Sequence, residues 1–325
     1  MQAAHTILSG EAIAQALSQQ RGELGAIEQC ELLRRGFNEV YGVRTAKGRF
    51  VARLSALRAR GPANVAYELS MLAHVQSNGG NVAAGVGDAV RLALPEGVRE
   101  LAVFRHLEGS GPEVAQDFEP TGEELARIHQ AADGYSGPAS RYTLDLHHLV
   151  ERPLAWLKDA PTMDESLRED YDALANEVVQ AVGGGEGLKR VACHGDCHGG
   201  NNFIQTAADG SRRAAFFDFD DAGPGWLAYE LAVLLWGHLP RRVEPEIDAE
   251  VAAKYQAFLA GYRRVAPLPS ADLQAVPFFL VARNIWLLGE YASRRHHWGS
   301  QAIPTAWLRK QVPVMRSWLR LRPPA

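Results

Sequence analysis

The chain reads as an α+β protein of two lobes, an N-terminal antiparallel sheet with helices followed by a mainly helical C-terminal lobe. Short alternating apolar runs separated by turn signals fill residues 27–104. Apolar residues return at helical spacing over 121–182 and again from 226 onward. Between those helical stretches lie two apolar runs, each ending in a loop rich in Asp and Asn.

Ser9 is a candidate N-cap, and Ile13, Ala16 and Leu17 share one face of a short leading helix over 9–20. Past Gly22 and Gly25 the period changes. Strands are predicted over 27–33, 40–45 and 50–54, with Gly36-Phe37-Asn38 and Lys47-Gly48 as the turns between them. The third reads Phe50-Val51-Ala52-Arg53-Leu54. Pro62 stands where a helix would begin; Tyr67, Leu69, Leu72 and Val75 form its apolar face, and Asn78-Gly79-Gly80 ends it. Runs at 86–94 and 100–104 complete a five-stranded antiparallel sheet, so the N-terminal lobe is assigned to 1–107 and the helical lobe to 108–325.

In the second lobe, Thr121 and Glu124 have the spacing of a capping box ahead of Leu125, Ile128 and Ala132, with His129 read as a packing residue. Helices are predicted over 146–158 and 165–182, and Gly183-Gly184-Gly185 links them to the next strand. Further helices are expected over 226–236, 246–264 and 273–295, the last interrupted at Pro277. Arg283, Trp286 and Glu290 share a face of that last helix, either looking into a cleft or forming a core stripe with a salt bridge. Neighbouring helical residues point about 100° apart, so His147-His148 and His296-His297 read as solvated pairs rather than metal ligands.

The chemistry concentrates in His194-Gly195-Asp196-Cys197-His198-Gly199-Gly200-Asn201-Asn202 and in Phe216-Phe217-Asp218-Phe219-Asp220-Asp221. Each follows an apolar run and so reads as a strand end delivering carboxylates into a loop. Asp196, Asn201 and Asp218 then supply one candidate base and two oxygen ligands for a hard divalent ion, as a phosphoryl-transfer site requires. Alone, either loop would pass for a hairpin connection. Cys193, His194, Cys197 and His198 have zinc-ligand types, but structural zinc sites bring two separated ligand pairs and this is one packed cluster.

These two segments resemble the catalytic loop and metal-binding segment of the aminoglycoside phosphotransferase and choline kinase superfamily, and within it most resemble the stress response kinase A group of bacterial kinases. The resemblance implies a protein-kinase-like bilobal fold and ATP- and Mg2+-dependent phosphotransfer to a hydroxyl. The acceptor would be Ser or Thr of proteins, or a small molecule such as homoserine, choline or an aminoglycoside; a weakly active nucleotide-binding module is the other reading. It implies Asp196 as the catalytic base, Asn201 and Asp218 as magnesium ligands, and His194 as a brace for the loop. Arg53 stands where the superfamily commonly has a phosphate-binding Lys, and Glu68 would hold it. Leu101-Ala102-Val103-Phe104-Arg105-His106-Leu107 resembles the last strand and hinge, with adenine bonded at the Arg105 and Leu107 backbone and Phe104 limiting the pocket. Glu230 stands where an Asp commonly braces the catalytic loop.

Composition bounds the rest. With 325 residues, 46% of them hydrophobic and 22% charged, the chain has the make-up of a soluble globular protein with a full core. Its longest uninterrupted apolar runs fall short of the roughly 20 residues that span a bilayer, and residues 1–20 lack a signal-peptide pattern. Three cysteines point to reduced thiols and a cytoplasmic location. A net charge of −4 argues against nucleic acid as a partner. Residues 283–325 nevertheless hold eight Lys or Arg against one acid, Glu290, either a solvated helix face or a basic wall for an acidic acceptor.

Overall fold

The computed structural model describes residues 3–243 and 246–324, so the first two residues of the N-terminal lobe and the last residue of the basic segment lie outside the described residues. Helix α1 (Gly10–Gln20) starts where Ser9 Oγ accepts from the Ala12 N–H at 3.3 Å. Strands β1 (Ile27–Arg35), β2 (Glu39–Thr45), β3 (Gly48–Leu54), β4 (Val90–Leu94) and β5 (Gly97–Arg105) form one antiparallel sheet in the order β1-β2-β3-β5-β4. Side chains alternate across a strand. Tyr41, Val43, Ala52, Leu54, Leu101 and Val103 therefore pack with Ile13 and Leu17 of α1. The residues between them, Val51, Arg53, Ala102 and Phe104, turn to the opposite face, and the register sets Val51 opposite Phe104 and Arg53 opposite Ala102.

Helix α2 (Val65–Ser77) covers part of that second face. It begins after Asn64 rather than at Pro62, and the Asn64 amide bonds Ser140 Oγ at 2.9 Å instead of capping the helix. Helix α3 (Ala115–Ala131) also starts earlier than the Thr121–Glu124 pattern indicates. Asp117 Oδ2 accepts the Glu113 and Val114 N–H groups at 2.7 and 3.0 Å and so organises the start. Thr121 lies inside the helix and donates to Asp117 O, while Glu124 is spent on the Asn81 N–H and on Arg213. The residues of the expected capping box thus make one bond within the helix, from Thr121, and two tertiary contacts, both to Glu124.

Beyond α3, a π-turn over His147–Glu151 leads into α4 (Arg152–Lys158) and α5 (Glu165–Val182). Strands β6 (Arg190–Cys193), β7 (Asn202–Thr206), β8 (Arg212–Phe216) and β9 (Gly223–Trp226) follow, then α6 (Leu227–His238), α7 (Ala249–Val265), α8 (Ser270–Ser293), α9 (Arg295–Trp298) and α10 (Thr305–Trp318). Helix α7 begins after its cap Asp248, not at Glu246. Helix α8 runs unbroken through Pro277, because packing on α4, α5, α6 and α10 outweighs the one backbone bond the ring removes. By length and composition α8 could cross a membrane, yet it buries Asp272, Arg283, Asn284 and Glu290 within the lobe, as an interior helix does.

Two other expectations are revised. His147 is exposed beside Glu151, but His148 is buried, stacked on Tyr142 at 4.5 Å and bonded by Arg152 at 2.8 Å. The basic C-terminal segment is no continuous wall, since Arg283 and Arg294 are buried and Arg309 and Arg316 pair with Asp164 and Asp170 on the α5 side.

Candidate active site

Two short ladders hold the two acidic loops side by side. β6 pairs with β9, ending at Cys193 opposite Gly223, and β7 pairs with β8, beginning at Asn202 opposite Phe216. Residues 194–201 and 217–222 each run from one ladder to the other. They touch where Gly195, at φ +84°, approaches the Asp221 carbonyl so closely that a Cβ would stand 2.1 Å from that oxygen. Only a residue without a side chain fits there.

Buried Glu230 on α6 fixes the first loop. Its two carboxylate oxygens accept the His194 and Gly195 N–H groups at 2.8 and 2.9 Å, and His129 lies 3.4 Å away while also bonding Tyr262. Burial pushes the Glu230 carboxyl up, but these hydrogen bonds outweigh it and hold it below its ordinary value. The longer side chain thus still reaches the loop. His194 Nδ1 receives the Asp196 N–H at 3.2 Å and Nε2 meets the Phe217 carbonyl at 3.0 Å. A backbone N–H only donates and a carbonyl only accepts, so the ring is the neutral Nε2–H tautomer, tying one loop to the other. The thiols of Cys193 and Cys197 donate to the carbonyls of Trp226 and Glu230, and burial pushes both well above the ordinary thiol range. Both sulfurs are thus engaged by backbone carbonyls of the core.

Asp196 and Asn201 face each other. Asn201 Nδ2 donates to the Asp196 carbonyl at 2.8 Å and to its Oδ2 at 3.2 Å, while Arg283 of α8 bonds the other carboxylate oxygen. Asp218 lies across the gap with φ +66°, the sole positive value outside glycine among the described residues. Asp is one of the few residue types that visit this region readily. Withdrawal from bulk water on the cleft floor raises its carboxyl above the ordinary value even though 43% of the side chain faces the opening. Arg53 opposes that rise, and Asp220 and Asp196 add to it.

Arg53 is buried and forks onto Glu68 of α2, with Nη1 at 2.8 Å from Oε1 and Nη2 on Oε2. Nη1 also reaches Asp218 Oδ1 at 3.2 Å, and the guanidinium lies 5.2 Å from the Phe104 ring centre. Burial pushes Glu68 up to about 7 against the pull of Arg53. Arg53, Phe104, Arg105, Leu107, Asn201 and Asp218 share one cleft of about 280 Å³. The Arg105 N–H is already committed to Ala84 O at 2.9 Å, which leaves only the carbonyl of that residue for a ligand.

The sequence reading assigned no partners to Asp220 and Asp221. Both are buried, with Arg58 between them at 2.6 and 2.7 Å and Arg60 at 2.6 Å from Asp221. Burial would raise both carboxyls; the arginines outweigh it, holding Asp220 at about 2 and Asp221 below the usual carboxylate range. An acidic run in a buried loop signals that cations must meet it. Nothing in Leu57-Arg58-Ala59-Arg60 marks those arginines as the partners. The tip of the β1–β2 hairpin closes over this cluster: Asn38 donates to Asp220 Oδ2 at 2.9 Å, and Phe37 lies under Arg58 and Arg294.

A sheet lobe carrying a buried basic residue, a cleft, and paired loops with Asp, Asn and Asp at its floor define a protein-kinase-like phosphotransferase fold. The model of the phosphotransferase enzyme family (APH) matches residues 29–268, and the chain belongs to that family. It is 32% identical to an uncharacterised protein of Deinococcus radiodurans over 97% of this chain and 92% of the relative. It is 30% identical to a homoserine kinase of Caulobacter over 81% of this chain and 79% of that one. Among solved structures, a microcompartment-associated aminopropanol kinase superposes with a TM-score of 0.74 at 20% identity, over 95% of this chain and 97% of the other. That last likeness is one of fold.

Proposed function

We propose that the chain transfers the γ-phosphoryl group of ATP to the hydroxyl of a small molecule, with magnesium bound in the cleft. The observation that carries this reading is the pair of locked loops setting Asp196, Asn201 and Asp218 around one gap at the mouth of the Arg53 cleft. Adenine would lie against Phe104 and bond the carbonyl of Arg105 and the backbone of Leu107. Arg53, held from behind by Glu68, would lie along the phosphate oxygens and counter their charge.

Asp196 would orient the acceptor hydroxyl and take its proton as the acceptor oxygen bonds the γ-phosphorus and the bond to the bridging oxygen of ADP breaks. Both hydrogen bonds of the Asn201 side chain use its nitrogen, so its Oδ1 remains as an oxygen ligand in the cleft that Asp218 also lines. Two hard oxygens at a solvent-facing gap suit magnesium, which keeps most of its positions for water and phosphate. Bound there, the ion would supply neutralisation of phosphate charge. The kinship with homoserine kinases supports a small hydroxylated acceptor over Ser or Thr of a protein. Half of the basic residues that favoured an acidic acceptor, Arg283, Arg294, Arg309 and Arg316, pair with acidic residues of the chain itself.

The test is phosphoryl transfer from labelled ATP with and without magnesium, using wild type, Asp196→Asn and Asp218→Asn. Both variants should lose at least about 100-fold in turnover while keeping a cooperative unfolding transition. Asn tolerates the backbone of Asp218, so loss there would report chemistry rather than strain. Wild-type turnover in Asp196→Asn would falsify the reading.

A further inference from the structure

The cleft of about 280 Å³ assigned to the nucleotide and a gap of about 110 Å³ around Asp196 share one stretch of wall, made by Arg34, Val40, Arg53, Asn201 and Asp218. The phosphotransfer chemistry uses three of those five and leaves Arg34 without a task. Among the described residues the Arg34 guanidinium finds no hydrogen bond and no ion pair, whereas Arg53 and Arg58 beside the same gap are each held by carboxylates. A bulge in β1 puts it there. Leu32 lies opposite Tyr41 and Arg34 opposite Val40, so Leu33 is the extra residue. Without the bulge Leu33 would face Val40, and Arg34 would pair with Glu39 and turn, with Tyr41, to the α1 face. With it, Arg34, Val40 and Arg53 stand in one cross-strand row, whose end backbones are two strand spacings, or about 10 Å, apart. Arg35, next in the chain, turns to the other face and lies 5.6 Å from the Trp298 ring centre. Four residues beyond Arg34, Asn38 fastens the hairpin tip to Asp220 at 2.9 Å, which anchors this strand end over the acidic loops.

Resting on the kinase reading above, we propose that Arg34 is a further catalytic residue, donating to the γ-phosphoryl oxygens as that group passes from the nucleotide cleft to the acceptor gap. As the acceptor oxygen bonds the γ-phosphorus, its proton goes to Asp196 and the electron pair of the breaking P–O bond stays on the bridging oxygen of ADP. Negative charge then spreads over the equatorial oxygens of the transferring group. Arg53 cannot travel with that charge, because its fork is closed on Glu68. Arg34 is the cation of the shared wall whose N–H groups are all open, and a planar guanidinium suits two oxygens of one phosphoryl group. An exposed arginine at a strand end ordinarily does no more than face water. Here nucleotide and acceptor displace that water from both sides, and each hydrogen bond Arg34 then makes to the moving phosphoryl group strengthens as the local dielectric falls.

The test needs no knowledge of the acceptor. Two quantities are measured for wild type, Arg34→Gln and Arg35→Gln: release of labelled phosphate from ATP to water, and calorimetric binding of ADP with magnesium, without and with aluminium fluoride as the mimic of the transferring phosphoryl group. Arg34→Gln should lower the hydrolysis kcat about 100-fold or more, bind ADP alone within about 3-fold of wild type, and lose the tightening that aluminium fluoride brings. Arg35→Gln removes the same charge one residue away and should match wild type in every measurement, which separates direct contact from the long-range field. Thermal midpoints check folding. Equal kcat in Arg34→Gln and wild type, or equal losses in Arg34→Gln and Arg35→Gln, overturns the role of Arg34 and leaves the kinase reading standing. If wild type releases no phosphate, the kinase reading fails and the fluoride complex still decides: tightening that Arg34→Gln loses supports the contact, and no tightening in wild type overturns it.

Discussion

Arg283 of α8 bonds one carboxylate oxygen of Asp196 through Nη2 and reaches the Tyr229 hydroxyl with Nη1 at 3.4 Å. Its guanidinium lies between Trp286, at 4.4 Å, and Trp236, at 5.0 Å. The proposed base is therefore held by a residue nearly ninety positions away in the chain, and its other oxygen, which accepts from Asn201, is left on the side of the cleft. Replacing Arg283 with Met should lower kcat by about 10–100-fold, or about 1.4–2.8 kcal/mol, with little change in the ATP KM. Lys should rescue only in part, because a point charge cannot bridge Asp196 and Tyr229. Unchanged kcat in the Met variant would show that Asp196 needs no such support.

The Arg53–Glu68 pair is buried on both sides. Glu68→Ala would leave Arg53 facing Asp218 and Asp220 with its main partner gone, and should destabilise the fold by about 3 kcal/mol or more. Removing both charges, as in Arg53→Met with Glu68→Leu, should cost clearly less than the two single changes summed. Urea unfolding of the four proteins measures this, and simple additivity would mean that the pair contributes no coupling.

Gly195 and Gly210 share nearly the same backbone, φ +84° and +82°, but differ in surroundings. An added Cβ meets the Asp221 carbonyl at 2.1 Å at Gly195 and nothing within 4 Å at Gly210. Gly210→Ala should cost about 1 kcal/mol from backbone strain alone. Gly195→Ala should cost at least about 2 kcal/mol more and reduce activity, because it forces the two loops apart. Equal costs would mean that the loops part freely.

His238 packs edge-on to Phe118 at 5.0 Å, and its Nε2 has no hydrogen-bond partner. Burial, with Lys254 nearby, pushes the ring down to about 4 from an unfolded value of 6.5. The unfolded chain binds the proton more readily, so this contribution is present above pH 6.5 and is lost as pH falls toward 4. The loss should amount to about 3 kcal/mol, at 1.36 kcal/mol per unit. His238→Phe should be less sensitive to acid than wild type over that window. Parallel stability–pH curves for the two proteins would remove His238 as the cause.

Local pattern carries much of what the sequence determines here. Alternation over 50–54 and 100–104 sets Arg53 and Phe104 on one sheet face, and the apolar runs ahead of Asp196 and Asp218 mark those residues as loop entries at strand ends. Ser9 caps its helix as its type and position require. These features depend on neighbours a few residues away, which the linear sequence displays.

Tertiary structure decided what depends on distant partners. Thr121 and Glu124 have a capping pattern, but competition from Asp117, Asn81 and Arg213 moves the helix start to Ala115. Pro277 would break an isolated helix, and packing on four neighbours carries α8 through it. Arg58 and Arg60 look like exposed loop arginines until Asp220 and Asp221 are folded against them. The same holds for Arg283 on Asp196. Burial removes the water that would otherwise satisfy these charges, so their meaning is fixed only by which other charges the fold brings within about 4 Å.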